Sequence, residues 1–415
     1  LVFLKSWHLL DEGQHYSCIV CGPDDFYQRN FFKNDYIFAD ILNSNPIVLR
    51  YFFLSLKIFF KNLFKIKFTL SNCRYLFLVS SLTPYIYKKK IKSIICFIDY
   101  YKIGKIFKLV LGNDINLIGF QFSVRGKPSL RYNLINNYDF YYLWDEMEKK
   151  LDTYQNNKII KFGSLKSCAA LEINKKWEVI NHEYRKSNKI LLISSIAENY
   201  EFFFTKYLSK KNTNIEEKLK SLIKKFDKKD FKLMREQQAF DFFRLCILLK
   251  KYLVKTKKPL EIILRGTKKN FNRLNYEKLI YKKIFEDNKI SSFNFIEKNF
   301  IDRFDYALKN RDEIFLTDCS SFGKELLSVG CKVIFYSNIG ENYVPFFYDY
   351  ETIFCTNEKK NNFEKNIEEL SKFNKLDFNI ELKKTKKTFS SFTPNYKKFT
   401  DFLSQSNLTI REKIS

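Results

Sequence analysis

The chain has 415 residues, with 73 Lys+Arg against 46 Asp+Glu and a formal net charge of +27. Hydrophobic residues make up 45%, enough to exclude intrinsic disorder, and at about 150 residues per domain the length predicts two or three domains. No run of about 18 uncharged apolar residues occurs, which excludes a transmembrane helix by hydropathy. Only 13 of the 73 basic residues are Arg, while Gly (11) and Pro (7) are scarce. AT-rich coding yields the same Lys-rich balance, so part of the charge is compositional drift.

The chain opens on Leu1, and residues 1–10 are too short and poorly flanked for a signal peptide. Nine Cys lie mostly inside apolar runs, as in a reducing cytoplasm. Cys18-Ile-Val-Cys21 is a lone C-x-x-C. His8, His15 and His182 supply no second ligand pair at zinc spacing, so the motif reads as a strand and no metal is expected.

The segment 47–70 is distinctive. Lys57, Lys61 and Lys65 recur at i, i+4, i+8. Phe52, Phe53, Leu56, Phe59, Phe60, Leu63 and Phe64 recur at helical spacing beside them. Two readings stand: a helix packed on the N-terminal sheet with its Lys in solvent, or a helix lying in a bilayer interface with Lys on anionic head groups.

Strands are predicted at 75–80, 93–100, 116–124, 138–144 and 159–162. A polar stretch, 174–188, reads as a linker. Beyond it a strand is predicted at 189–194, helices at 215–226 and 234–254, a strand at 260–264 and a helix at 276–285. Strands at 291–295, 313–317 and 332–336 follow, with a helix at 322–328 and another at 396–404. Strands alternating with helices indicate parallel sheets. The fold class is therefore α/β with two Rossmann-like doubly wound domains facing a cleft. The boundaries are 1–175, 186–375 and a basic, partly helical tail at 376–415. Ligands of such sheets bind beyond the carboxyl ends of the strands. That draws attention to the loops at Ser194, Arg265 and Asp318.

The most informative stretch is Asp318-Cys319-Ser320-Ser321-Phe322-Gly323-Lys324-Glu325, with Gly330 closing the helix before the next strand. Unpaired N–H groups at a helix start make an anion site. The Ser320 and Ser321 hydroxyls add donors for a phosphate, Gly323 allows close approach, and Glu325 can accept from a ribose diol. An ordinary strand-helix-strand unit with a Ser cap is the alternative.

The pattern Asp-x-Ser-Ser-x-Gly-x-Glu, then a small residue, Gly and an apolar strand, resembles the donor-binding half of GT-B glycosyltransferases of the bacterial surface-carbohydrate type (capsule, polysialic-acid and teichoic-acid transferases). The resemblance implies a donor site at Ser320, Ser321, Gly323 and Glu325. Tyr138-Asp139-Phe140-Tyr141-Tyr142-Leu143-Trp144 followed by Gly163-Ser164 is similar to the stretch that closes the family's N-terminal half, which adds Gly163 and Ser164. Where many relatives carry Lys-x-His-Pro, this chain has Arg265-Gly266-Thr267-Lys268, and where relatives carry His-Gly it has Arg125-Gly126. Arg265 and Lys268 remain phosphate candidates; a His-dependent step is not available.

The family likeness implies a metal-independent sugar transfer without a bound cofactor, from a nucleotide-activated sugar to a glycan or lipid-linked acceptor. It places the protein in the cytoplasm, peripheral at the inner membrane. The catalytic base is expected in the N-terminal half, among Asp24, Asp25, Asp99, Asp114 and Asp145; Asp99 falls at the carboxyl end of its predicted strand, after 93–98, and Asp24 and Asp25 follow Cys21-Gly22-Pro23 in the same way. Two alternatives stay open. One is a basic nucleic-acid-binding protein, although the Lys residues are spread and no nucleic-acid motif occurs. The other is a nucleotide-sugar epimerase of the same fold.

Overall fold

The computed structural model describes residues 7–9, 18–22, 36–40, 45–47, 51–96, 103–120, 138–143, 158–178, 182–196, 203–208, 217–218, 221, 234–265, 271–285, 290, 292–318, 320–337, 352–358, 361–384, 393–406, 408 and 410. The chain divides into two compact units: Leu1–Trp177 together with Phe392–Ser415, and Glu178–Ser391. Each is built on a six-stranded parallel sheet, so the α/β class with two doubly wound units is what the chain adopts.

The first unit runs β1 (Trp7–Leu9), β2 (Cys18–Gly22), β3 (Tyr36–Asp40), β4 (Asn45–Ile47), α1 (Phe52–Leu63), α2 (Leu70–Lys88), β5 (Ser93–Cys96), α3 (Ile103–Leu111), β6 (Asn116–Phe120), β7 (Phe140–Leu143), β8 (Lys158–Lys161) and α4 (Leu165–Ile173). Its main sheet has the order β3-β2-β5-β6-β7-β8, and β1 pairs separately with β4. The C-x-x-C lies in β2, as expected.

The strand expected at 75–80 is instead part of α2. Leu76, Leu78, Val79, Leu82 and Ile86 are fully buried and Phe77 nearly so. A helix covered on all sides carries no polar stripe, so its sequence shows an unbroken apolar run and the 3.6-residue period is hidden. The helix start is set by Thr69, whose Oγ1 accepts from the Asn72 N–H at 3.2 Å. A second tie is Asp139. It accepts from Lys108 Nζ at 2.6 and 2.7 Å and from the Leu117 N–H at 2.8 Å, joining α3, β6 and the entry to β7.

The second unit runs β9 (Ile190–Ile193), a π-helical turn at Phe204–Leu208, α5 (Met234–Thr256), β10 (Leu260–Ile263), α6 (Phe271–Phe285), β11 (Phe293–Ile296), α7 (Phe300–Lys309), β12 (Ile314–Thr317), α8 (Ser321–Ser328), β13 (Lys332–Tyr336), β14 (Cys355–Thr356), α9 (Phe363–Lys372) and α10 (Lys375–Lys384). The order is β11-β10-β9-β12-β13-β14. That is the doubly wound order of dinucleotide-binding domains, in which the strand sequence reverses between the first and fourth strands. β9, β12 and β13 are buried at every position, which is why they read as continuous apolar runs rather than alternating ones. Most of the helix expected at 215–226 lies outside the described residues.

Residues 182–188, the later part of the expected linker 174–188, are bonded along their length, as is Lys189 after them. Asp312 pairs with His182 Nε2 at 2.8 Å and accepts from the Arg185 N–H at 2.9 Å. Glu313 accepts from the Asn188 and Lys189 N–H groups at 2.8 and 2.9 Å.

The stretch expected as a separate tail from 376 is instead divided. α10 belongs to the second unit, while the last helix, α11 (Tyr396–Ser406), belongs to the first. Phe399 and Phe402 are fully buried. Phe402 meets the rings of Phe120, Tyr142 and Phe162 at 4.9, 5.3 and 6.1 Å, and Phe399 meets Trp177 at 5.9 Å. Burial, aided by the nearby Asp401 carboxylate, pushes the Tyr142 phenol up to about 12. The aromatic periodicity of α11 is thus a packing face, while Lys397 and Lys398 are exposed and Lys398 Nζ donates to the Lys161 carbonyl at 2.8 Å.

Candidate functional site

The site grows from the order of the second sheet. Because the winding direction reverses between β9 and β12, the loops leaving their carboxyl ends part to opposite faces and open a crevice at that point. The loop after β9 is Ser194-Ser195-Ile196, and the loop after β12 starts at Asp318 and feeds α8. The three loops singled out from sequence, at Ser194, Arg265 and Asp318, follow β9, β10 and β12, the adjacent strands of the switch point.

The two switch-point loops are tied together. The Ser195 hydroxyl donates to Asp318 Oδ1, and both residues are buried. Ser194 Oγ accepts from the Ile196 N–H at 3.3 Å and also engages the buried Tyr281 phenol. Burial drives the Cys246 thiol of α5 well above its ordinary value, and the Asp318 carboxylate adds to the rise. Tyr281 is raised for the same first reason. Beneath these two loops the buried Cys246 and Tyr281 thus stay neutral beside the Asp318 carboxylate.

α8 starts just after Asp318. Ser320 occupies the N-cap position with extended backbone (φ −64°, ψ 128°), yet its side chain makes no cap hydrogen bond, and no acidic residue lies in the first turn. The alternative of an ordinary Ser cap is thus met in backbone geometry only. Three other helix starts differ, since Thr69, Ser164 and Asn299 each accept a backbone N–H from the first turn, whereas α1 and α9 also start without a side-chain cap. Ser320 and Ser321 are both half-buried. A helix start with no side-chain cap, two adjacent hydroxyls and no acidic residue in its first turn suits an anion.

Gly323 has a different reason from the one expected. A Cβ there would sit 2.7 Å from Thr317 Cγ2 and 3.2 Å from Phe335 Cε1. The missing side chain lets α8 lie close on β12 and β13; it does not open space for a ligand. Glu325 lies one turn into α8 and is 2% exposed, so its carboxylate faces packed protein. Gly330 has φ +88°, and its carbonyl accepts from the Tyr184 hydroxyl, which ends the α8 excursion where expected.

Basic groups gather on the neighbouring loop. Arg265 is exposed at the end of β10, and its N–H donates to the buried Glu277 Oε1 at 2.9 Å. Arg303 of α7 donates from Nη1 to the Leu264 carbonyl at 2.9 Å, and its guanidinium lies 5.9 Å from the Phe322 ring. Arg273 donates to the Ile196 carbonyl at 3.3 Å. Arg273 and Arg303 were not among the sequence candidates, since nothing local marks an Arg whose partner is 39 or 77 residues away. Asp241 and Arg244 of α5 were also missed. Ser337 Oγ donates to Asp241 Oδ2 at 2.9 Å, and Arg244 forks onto Glu358 with Nε at 3.0 Å from Oε2. These pairs hold the ends of β13 and β14. A signal existed: two charges three residues apart inside the apolar run 239–249.

The other candidates divide as follows. Gly163 and Ser164 lie in the first unit, at the end of β8 and the start of α4, and are buried. Gly163 has φ +92°, and Ser164 Oγ accepts from the Ser167 N–H at 3.4 Å. Their local work is to turn the chain and cap α4. Asp114 is exposed before β6, at the amino end of that strand; this is the end of the sheet opposite to where ligands bind, which removes it as a base candidate. Asp24, Asp25, Asp99, Asp145 and Lys268 lie outside the described residues. Lys57, Lys61 and Lys65 are exposed on and just after α1. Among the described residues no His/Cys/Asp/Glu cluster could hold a metal ion.

No protein-family model matches the chain, and no curated protein matches it by sequence. Solved structures do resemble it. UDP-GlcNAc 2-epimerase from Methanocaldococcus jannaschii is similar at a TM-score of 0.49 and 12% identity over 94% of this chain and 99% of that one. MurG from Acinetobacter baumannii is similar at 0.42 and 10%, over 82% of each chain. Sucrose-phosphate synthase from Thermosynechococcus elongatus is similar at 0.38 and 10%, over 80% of this chain and 77% of that one. At these scores and identities the activity of this chain rests on its own residues.

Proposed function

We propose that this protein is a glycosyltransferase that takes a nucleotide-activated sugar as donor and a glycan or lipid-linked acceptor of a surface polysaccharide. The observation that carries this reading is the uncapped start of α8, with Ser320 and Ser321, at the switch point of a sheet with dinucleotide-binding order. In this reading the donor phosphate accepts hydrogen bonds from the first-turn N–H groups of α8 and from the two Ser hydroxyls. The charge that develops on the departing phosphate is met by the same dipoles and by Arg265, which needs no metal. Lys268 is proposed beside Arg265. The base that takes the acceptor proton is proposed among Asp24, Asp25 and Asp99. Glu325 is proposed to hold the ribose only if its carboxylate turns outward on binding, and Ala at this position tests that separately.

A thermal-shift panel of CMP, CDP, UDP and GDP tests the reading. One nucleotide is expected to raise the melting temperature, and Ser320→Ala is expected to cut that rise. Absence of any response, together with salt-sensitive binding to random oligonucleotides, would favour nucleic-acid binding instead. Conversion of a nucleotide-sugar to its epimer without any acceptor would replace transfer by epimerisation.

A further inference from the structure

α1 and the segment that follows it carry two faces. On the inner face, Phe59 meets the Phe77 ring edge-on at 5.8 Å, and Leu63 and Ile66 pack against the α2–α3 core. Ser55 and Asn62 are buried there too, and both are satisfied: their side chains donate to the Tyr51 and Ile58 carbonyls at 2.9 Å. The helix is thus fixed to the domain by half of its aromatic stripe.

The other half points to solvent. Phe53 is 85% exposed, Phe60 58%, Phe64 93% and Phe68 78%, with Leu54 and Leu70 also exposed. Among the described residues, six of the eleven exposed large apolar side chains fall within 53–70. At 100° per residue Phe53, Phe60 and Phe64 share one strip of the helix, and Lys57 and Lys61 border it. Lys65 and Lys67 continue the same exposed segment. The charge around them is one-sided. Between residues 41 and 98 there are ten Lys or Arg and no Asp or Glu. The packed reading of the segment 47–70 therefore holds for the inner half of the helix, and the outer half is left exposed.

We propose that this face of α1, with Phe53, Phe60, Phe64 and Phe68, docks on an anionic lipid bilayer. The Phe rings enter the boundary of head group and acyl chain, and the Lys side chains reach the phosphates. The charge distribution selects this occupant. A second copy of the chain would set the same Lys row against itself with no carboxylate from 41 to 98 to offset it. An anionic bilayer offers apolar depth and negative charge together, and no helix among the described residues is long and apolar enough to cross one. The proposal is independent of the sugar-nucleotide reading.

The test uses the full chain and sedimentation with vesicles of phosphatidylcholine alone and of phosphatidylcholine mixed with phosphatidylserine. Binding to the mixed vesicles alone is expected. Since the +27 charge gives any anionic vesicle some affinity, the deciding variant is Phe60→Ala/Phe64→Ala, which leaves the charge unchanged. It is expected to weaken binding about a hundredfold, near tenfold per ring, with an unaltered melting temperature because both rings are exposed. Lys57→Gln/Lys61→Gln/Lys65→Gln is expected to cost about a hundredfold as well. Unchanged vesicle binding by the Phe variant, or no binding by the wild type, would overturn the proposal. So would a dimer that the Phe variant dissociates, or oligonucleotide binding that the Phe variant abolishes.

Discussion

At the residue scale, two positions show how packing sets local chemistry. Gly323 is needed because α8 rests on Thr317 and Phe335. A methyl group at 2.7 Å from Thr317 Cγ2 forces α8 away from the sheet, so Gly323→Ala is expected to destabilise the fold by about 1–3 kcal/mol. A urea unfolding curve checks this, and an unchanged midpoint would mean that the helix shifts at little cost. Lys332 opens β13 with its side chain buried, donating to the Arg185 and Ser371 carbonyls at 3.3 and 3.4 Å and lying 5.1 Å from the Tyr184 ring. Burial disfavours its ammonium and lowers its value from 10.5 to about 8, against the opposing pull of Asp312 and Glu313. Between these two values the unfolded chain holds the proton more firmly than the folded one. Stability from this group therefore rises as pH climbs from 8 towards 10.5, and its cost is fully present below 8. Tyr and Cys groups oppose this trend at high pH, so the difference between wild type and Lys332→Met is the quantity to follow. It is expected to move in favour of the wild type by about 2 kcal/mol from about pH 8 to about pH 9.5. A difference that stays constant with pH would contradict the buried-ammonium account.

At the element scale, α11 closes the first unit although it follows the whole of the second in sequence. Phe402 is enclosed by three rings from β6, β7 and the end of β8. Phe402→Ala is expected to cost about 3–5 kcal/mol, read by chemical denaturation; a loss under about 1 kcal/mol would mean that α11 contributes little to the unit. The same helix marks the limit of reading structure from sequence. Its extent was legible from the spacing of Tyr396, Phe399, Phe402 and Leu403, but its docking place was not, because nothing local identifies Phe120 or Tyr142 as partners. In the second unit the strands β9 to β13 and the helices α5, α6 and α8 were legible, since buried strands leave apolar runs and Gly330 punctuates the helix end, whereas α7 and the π-helical turn at Phe204–Leu208 were not predicted. α2 was misread because full burial gives helices the same signature. The candidate site was legible where it depends on a helix start, at Ser320 and Ser321. It was not legible where it depends on crossovers, at Ser195–Asp318, Arg244–Glu358 and Arg303–Leu264.

At the scale of the whole molecule, the +27 charge separates into parts with different weight. Many Lys residues pair locally or coat helix faces, as in Lys189–Glu261 and Lys278–Glu297. Two concentrations stand apart. One is the carboxylate-free segment around α1, and the other is the Arg265, Arg273 and Arg303 group near the switch point. The second bears on the central claim, that a donor phosphate sits at the start of α8. Calorimetric titration of the purified chain with the nucleoside diphosphate that stabilises it most, repeated with Ser320→Ala/Ser321→Ala, tests this directly. Each hydrogen bond to a charged phosphate contributes about 1.5–3 kcal/mol, so the double variant is expected to bind at least about a hundredfold more weakly while keeping the wild-type melting temperature without ligand. Equal affinity in the two proteins, or no binding by the wild type to any nucleoside diphosphate, would contradict the account.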